Sequence, residues 1–178
     1  MSYFITAKSR IEQTDKDGYW KLIDNELYLS NNNELTITPR YFWTDGYTFP
    51  LFIIPFIGDK NKYDVRPAHG HDLFCRFHQK IKVNLSLTQL KQKGILHEHK
   101  GMIVCEDIPE EYLSIEKISK FESNNLLREM MLTCDIPRKT CNIVRFGTIF
   151  NINWINTGKK SLKDYRIFKE DIGLINGL

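Results

Sequence analysis

The stretch "RPAHGHDLFCRFH" at 66–78 puts three of the chain's five histidines and an aspartate within thirteen residues. Imidazoles move protons near neutral pH and bind metals, and carboxylates bind cations. On a helix His71, Cys75 and His78 lie at i, i+4 and i+7, along one face. Asp72 sits about 100° further round and meets Cys75 or Arg76. Adjacent side chains on a helix point apart, so His71 and Asp72 do not form a dyad with each other. If both act, their tasks differ: one is a general base and the other holds a metal. The base also needs a third group, from another element, to orient its second ring nitrogen.

Two other readings compete. In the first, which the residue types favour, His71 makes a hydrogen bond between helices and Asp72 ties down the loop at 44–50. In the second, His71, Cys75 and His78 bind zinc with His97 or His99 of "LHEHKG". The ligand types suit zinc, but structural zinc sites carry more tightly spaced Cys/His pairs. His97 and His99 otherwise read as exposed loop residues. Asp45, in "TDGYTFP", reads as a turn former. No G-x-S-x-G elbow, P-loop or dinucleotide fingerprint is present. Usual serine hydrolases, NTPases and Rossmann oxidoreductases are set aside on that ground.

The elements that must position these residues are mixed. "YWKLIDNELYLS" (19–30) and "ELTITPRYFW" (34–43) flank an Asn cluster and predict a hairpin. Pro39 suits a strand end. Pro67 fits a first helical turn, so the spacing predicts a helix from about 67 to about 81. "SLTQLKQKG" predicts a short helix ending at Gly94, "GMIVCEDIP" a strand and "EEYLSIEKISKF" another short helix. Leu126, Leu127, Met130, Met131 and Cys134 recur at helical spacing over 123–135, with Ser123 or Asn124 as N-cap. A last helix starts at Pro137, with Cys141, Val144, Thr148 and Ile152 on one side and Ile143, Phe146, Ile149 and Phe150 widening the apolar surface. The region ends at Gly158. The class is α+β: an N-terminal hairpin or small sheet packed on a helical core with an antiparallel helix pair. One domain covers 1–178, β-rich over 1–50, mainly helical over 67–158, with a loosely docked tail at 159–178.

The chain is 42% hydrophobic and 12% aromatic over 178 residues, enough for one compact core. Its net charge of +3 comes from scattered basic residues, so nucleic acid is not expected as a partner. The start, "MSYFITAKSRIEQ", lacks the apolar core of a secretory signal. "FPLFIIPFIG" (49–58) is about half the length of a membrane span and holds two prolines. It reads as core rather than as an interfacial membrane contact. Trp43 and Trp154 read as core aromatics, and the four cysteines as reduced, mostly buried thiols.

The order "WKLIDNELYLS…ELTITPRYFWTDGYTFP…AHGHDLF…SNNLLREMM…NIVRFG" resembles a phage-encoded family of unknown function (domain of unknown function thirteen fifty-three), over roughly residues 19–150. That family's pattern is a β-rich start, a T-D-G/L-A-S-x-P loop, an H-D-x-L-Y helix, an A-D-x-x-F helix and a V-R-x-x-G helix. Its H-D and A-D helices in turn look like the core of secreted-type phospholipase A2. This second resemblance implies that His71 is the base, that Asp72 binds calcium and that Asp45 and Gly46 complete the metal site. Asn124 falls where an aspartate usually orients the histidine, and Cys75 where a tyrosine is usual. An asparagine accepts a hydrogen bond but cannot stabilise an imidazolium by charge. "TDGYTFP" also lacks the glycine-rich run that would turn several carbonyls onto one calcium.

The resemblance and its departures imply a bacteriophage virion or assembly component with a degenerate site, in the virion or the host cytoplasm, whose partners are other phage proteins. One alternative is a calcium-dependent ester hydrolase of phospholipase A2 type, using His71 as base and meeting a membrane surface. Another is an intracellular phage factor that binds a host protein.

Overall fold

The computed structural model describes residues 2–14, 19–45, 54–59 and 62–149. The fold is α+β, as expected. Short strands β1 (Tyr3–Phe4), β2 (Ile11–Gln13) and β3 (Trp20–Leu22) lead into β4 (Glu26–Leu29), β5 (Leu35–Thr38) and β6 (Trp43–Thr44). The "NNN" cluster closes the β4–β5 hairpin. Asn33, at φ 58°, takes the left-handed conformation that asparagine tolerates, and its N–H donates to Ser30 O at 3.0 Å. Leu27 faces Ile37 across the ladder. After α1 (Ile54–Ile57) come α2 (Arg66–Phe77), β7 (Gln79–Val83), α3 (Leu87–Gln92) and the hairpin β8 (Leu96–His99) and β9 (Met102–Cys105). Then β10 (Leu113–Lys117), α4 (Lys120–Thr133) and α5 (Arg138–Ile149) complete the described chain.

The central sheet runs β1-β4-β5-β7-β10, all antiparallel, so it draws strands from the middle of the chain as well as from its start. Its two halves, β1-β4-β5 and β7-β10, meet at one ladder pair, Thr36 with Lys82. A second sheet, β2-β3-β6, sits beside it. Helix α2 lies on the central sheet and packs against α4, which packs against α5. Leu27, Ile37, Leu73, Phe74, Ile81 and Met130 form the heart of the main core. A smaller core of Ile57, Leu127, Met131, Cys141 and Val144 lies between the helices. No helix among the described residues is long and apolar enough to cross a membrane.

Four expectations need correction. Helix α2 stops at Phe77, four residues early, because His78 turns left-handed (φ 52°) and its N–H closes on Phe74 O at 2.8 Å. From residue 81 on the chain alternates, with Ile81 and Val83 buried and Lys82 half-buried, which is strand periodicity. "EEYLSIEKISKF" is a 3-10 turn at Glu110–Tyr112, then β10, then the start of α4. There Ile115 pairs with Ile81, so the sheet ladder claims a segment whose local pattern reads as helix. The N-cap of α4 is Ser119, whose Oγ accepts from Glu122 N at 3.1 Å, and Ser123 and Asn124 lie buried one turn inside. Within "FPLFIIPFIG", Ile57 is core but Ile54 and Phe56 are exposed, Phe56 by 71%. Residues 49–53, Phe150, Ile152, Trp154, Gly158 and the tail at 159–178 lie outside the described residues.

Gly70 shows how closely the elements approach. A Cβ there would meet Met130 Sδ and Cε at 3.3 Å and Thr38 Oγ1 at 3.6 Å. A methyl there would need the Met130 side chain to give by a few tenths of an ångström and would only touch Thr38.

Candidate functional site

Because α2 turns about 100° per residue, His69 and His71 leave it on opposite sides. His71 faces α4. Its Nε2 lies 3.1 Å from Asn124 Oδ1. An amide oxygen only accepts, so Nε2 carries the imidazole proton and donates it. The Cys75 thiol, one turn on, lies 3.4 Å from Nε2 and 3.6 Å from Nδ1 and so covers the ring. The buried Ser123 lies against that thiol. His71 is only 8% exposed. Burial pulls its pKa down from 6.5 to about 4, outweighing the bond to Asn124, and the ring is neutral at pH 7.

Asp72 points elsewhere, as neighbours on a helix must. It accepts a hydrogen bond from Thr44 Oγ1 at the end of β6 and shares one with the Asp45 carboxyl. Burial, then the charge of Asp45, pushes the Asp72 pKa well above the usual carboxylate range, against the pull of Thr44 and Arg76. Two carboxyls in hydrogen-bond contact need a proton between them, and Asp72 holds it. Arg76 anchors the same corner, with Nη1 donating to Trp43 O at 2.8 Å and the guanidinium 5.0 Å from the Phe42 ring centre. Trp43 itself is half-buried at the sheet end, a partial departure from its expected place in the core.

The structure therefore brings His71, Cys75 and Asn124 together, and Asp72 with Asp45 and Thr44. Gly46 lies outside the described residues. The zinc set does not assemble: His78 caps α2, His97 and His99 ride on strand β8 rather than on a loop, and no group of three or more His, Cys, Asp or Glu among the described residues could hold a metal. For calcium the oxygen chemistry is right, but the described residues bring two carboxyls and a hydroxyl, short of the six to eight oxygens calcium takes. Among the described residues they do not complete a calcium cage.

Sequence reasoning missed a second histidine. His69 reaches the sheet, where its Nδ1 lies 3.0 Å from both carboxylate oxygens of Glu26 on β4. Both residues are about 1% exposed. The available signal was an acid inside the strand run "ELYL", where an unpaired carboxylate would be costly.

All four cysteines are free thiols. Burial pushes Cys75 and Cys105 up to about 12 and Cys134 to about 11, and raises Cys141 as well. Since the thiolate is the reactive form, native protein at pH 7.5 should take up iodoacetamide at none of the four within minutes, whereas protein in urea should take up four. Fast labelling of Cys75 in the native protein would show that the pocket around His71 is open.

No family model, curated protein or solved structure matches the chain.

Proposed function

We propose that the chain is a bacteriophage virion or assembly component in which the His-Asp step of α2 joins structural elements rather than cleaving an ester. The phage assignment rests on the order of the sequence motifs. The non-hydrolytic reading rests on one observation: His71 is a neutral, buried ring with its nitrogens turned to Asn124 and Cys75. A general base needs a water or substrate within reach and a partner that favours the charged ring. Asn124 offers no charge. Calorimetric titration with calcium should give no binding heat, and phospholipid vesicles should release no fatty acid. Purified particles of the phage that encodes the chain should contain it by mass spectrometry, and its absence from them would overturn the virion reading.

The hydrolase reading keeps one supporting observation. His71 faces Asn124 at 3.1 Å while Asp72 faces Thr44 and Asp45, the division of labour that phospholipase A2 chemistry uses. Asn124→Asp is the discriminating variant. We expect no ester hydrolysis from it. Hydrolysis that appears in Asn124→Asp and vanishes when His71→Ala is added would replace the structural reading with the enzymatic one.

A further inference from the structure

We infer that the cleft between the β8–β9 hairpin and the Thr6–Arg10 segment binds a small organic phosphate of nucleotide size, its phosphates on lysines and its flat part beside Tyr41. This site is separate from His71 and does not depend on the function proposed above. The cleft holds about 540 Å3, within the range of small-molecule sites.

Its walls are fixed by polar contacts. Ala7 N–H donates to Ile103 O at 2.9 Å, which ties the N-terminal segment to β9. Asn25, buried, donates from Nδ2 to Cys105 O at 3.2 Å and Glu106 O at 3.0 Å and accepts from Arg40 N at 2.8 Å. One side chain thus clamps the hairpin to the turn that carries Arg40 and Tyr41.

The walls are also basic. Lys8, Arg10, Arg40 and Lys100 line the cleft, against the carboxylates of Asp24 and Glu106. Arg10 engages Asp24 at 3.1 Å, Glu106 lies 3.6 Å from His97, and Arg40 pairs with Asp107 outside the cleft, so Lys8 and Lys100 outweigh Glu106. Asp64, which senses the Lys8 charge, is already held by Arg66 at 2.8 Å. Lys8 and Lys100 make no salt bridge among the described residues. Arg10 keeps 77% of its side chain exposed while bound to Asp24. Exposed ammonium groups over a cleft that retains net positive charge favour a phosphate.

A second observation points to the flat part of the ligand. Tyr41 lines the cleft with φ +67°, a left-handed backbone that asparagine or glycine adopts readily and an aromatic residue adopts only under strain. The turn imposes it: Phe42 N–H closes on Pro39 O at 3.2 Å, which puts Tyr41 at the turn position that needs a positive φ and holds its side chain at the cleft. Here Tyr41 N–H is held by Leu22 O at 2.7 Å, and the Arg40 guanidinium lies 5.1 Å from the ring centre. Met102 and Ile103, both well exposed, extend the apolar side. An aromatic ring, an apolar strip and lysines in one cleft suit a base and its phosphates.

Calorimetry on the full chain with ADP and with pyrophosphate tests this. Binding of both with Kd below about 1 mM is expected. The double variant Lys8→Ala, Lys100→Ala should weaken both at least about tenfold, since two charge contacts are lost. Tyr41→Asn should weaken ADP severalfold, leave pyrophosphate unchanged and melt no lower than the parent, because asparagine relieves the backbone strain. A merely structural Tyr41 would not separate the two ligands. No heat from either ligand at millimolar concentration overturns the proposal, as does undiminished binding in the lysine double variant. So does an oligothymidylate that binds much tighter than ADP, which would make the occupant a nucleic acid strand.

Discussion

Glu26→Ala should remove about 3–5 kcal/mol of folding stability, the cost of leaving a buried hydrogen-bond partner unsatisfied plus that of the cavity left behind. Typical domains have 5–15 kcal/mol in all, so the variant stands near the edge of folding. The cause lies in the position of His69: its ring meets both Glu26 oxygens at 3.0 Å and reaches almost no water. Truncation leaves that nitrogen without its acceptor in a dry interior. It also opens a cavity where α2 rests on β4. The urea midpoint should fall by about 2 M at an ordinary denaturant slope. Glu26→Gln keeps one acceptor and should cost less, which separates the lost hydrogen bond from lost packing. A Glu26→Ala protein as stable as the parent would mean that the pair contributes no net stability.

Acid should weaken the protein through His71. Its pKa is about 4 when folded against 6.5 for a free imidazole. Between those values the unfolded chain binds the proton and the folded protein does not, so stability rises with pH across the window. The contribution is complete above pH 6.5 and is lost as pH falls toward 4. A gap of about 2.5 units amounts to about 3 kcal/mol. Asp72 works in the opposite sense. Its raised folded value stabilises the protein at low pH, and that stability is lost as pH rises through it. The two opposing slopes can hide each other in one melting curve. His71→Gln isolates the first, because glutamine can still donate to Asn124 and does not titrate. Urea unfolding at pH 7 and pH 4 should show the parent losing about 3 kcal/mol relative to this variant. Parallel losses in both proteins would place the His71 ring in contact with water.

Much of the candidate site is legible in the chain because its parts lie on one helix. The angular spacing of His71, Asp72 and Cys75 follows from residues per turn alone. The order of short motifs added the facing helix with Asn124 and the loop with Asp45. Periodicity cannot supply partners from distant strands, so His69 and Glu26, 43 positions apart, stayed invisible. The end of α2 is not legible in the sequence for a local reason. Glycine is the usual left-handed helix stop, and here His78 takes that conformation. β10 reads as helix in the sequence because its ladder partner β7 lies in a segment that itself has a helical pattern. Cys141, Val144 and Thr148 are buried as their helical spacing predicts, while Phe146 and Ile149 on the same helix stay exposed. One apolar face is fixed by spacing, but its width depends on what packs against it.

The single pair that joins the two halves of the central sheet bears on how the chain folds. Of the ladders within the halves only the β4–β5 hairpin is local; β1 reaches β4 from residues 3–4 and β10 reaches β7 across α3 and the β8–β9 hairpin. The loop-closure entropy of the β4–β5 hairpin is therefore small, whereas β1–β4 and β7–β10 each close a longer loop. Docking across Thr36 and Lys82 gains little backbone hydrogen bonding. It is supported by side chains instead, with Glu34 on one half holding Lys80 at 2.6 Å and Lys82 at 3.8 Å on the other. Ile37 on one half and Ile81 on the other belong to the same buried core, so side-chain packing, not the ladder, joins the halves.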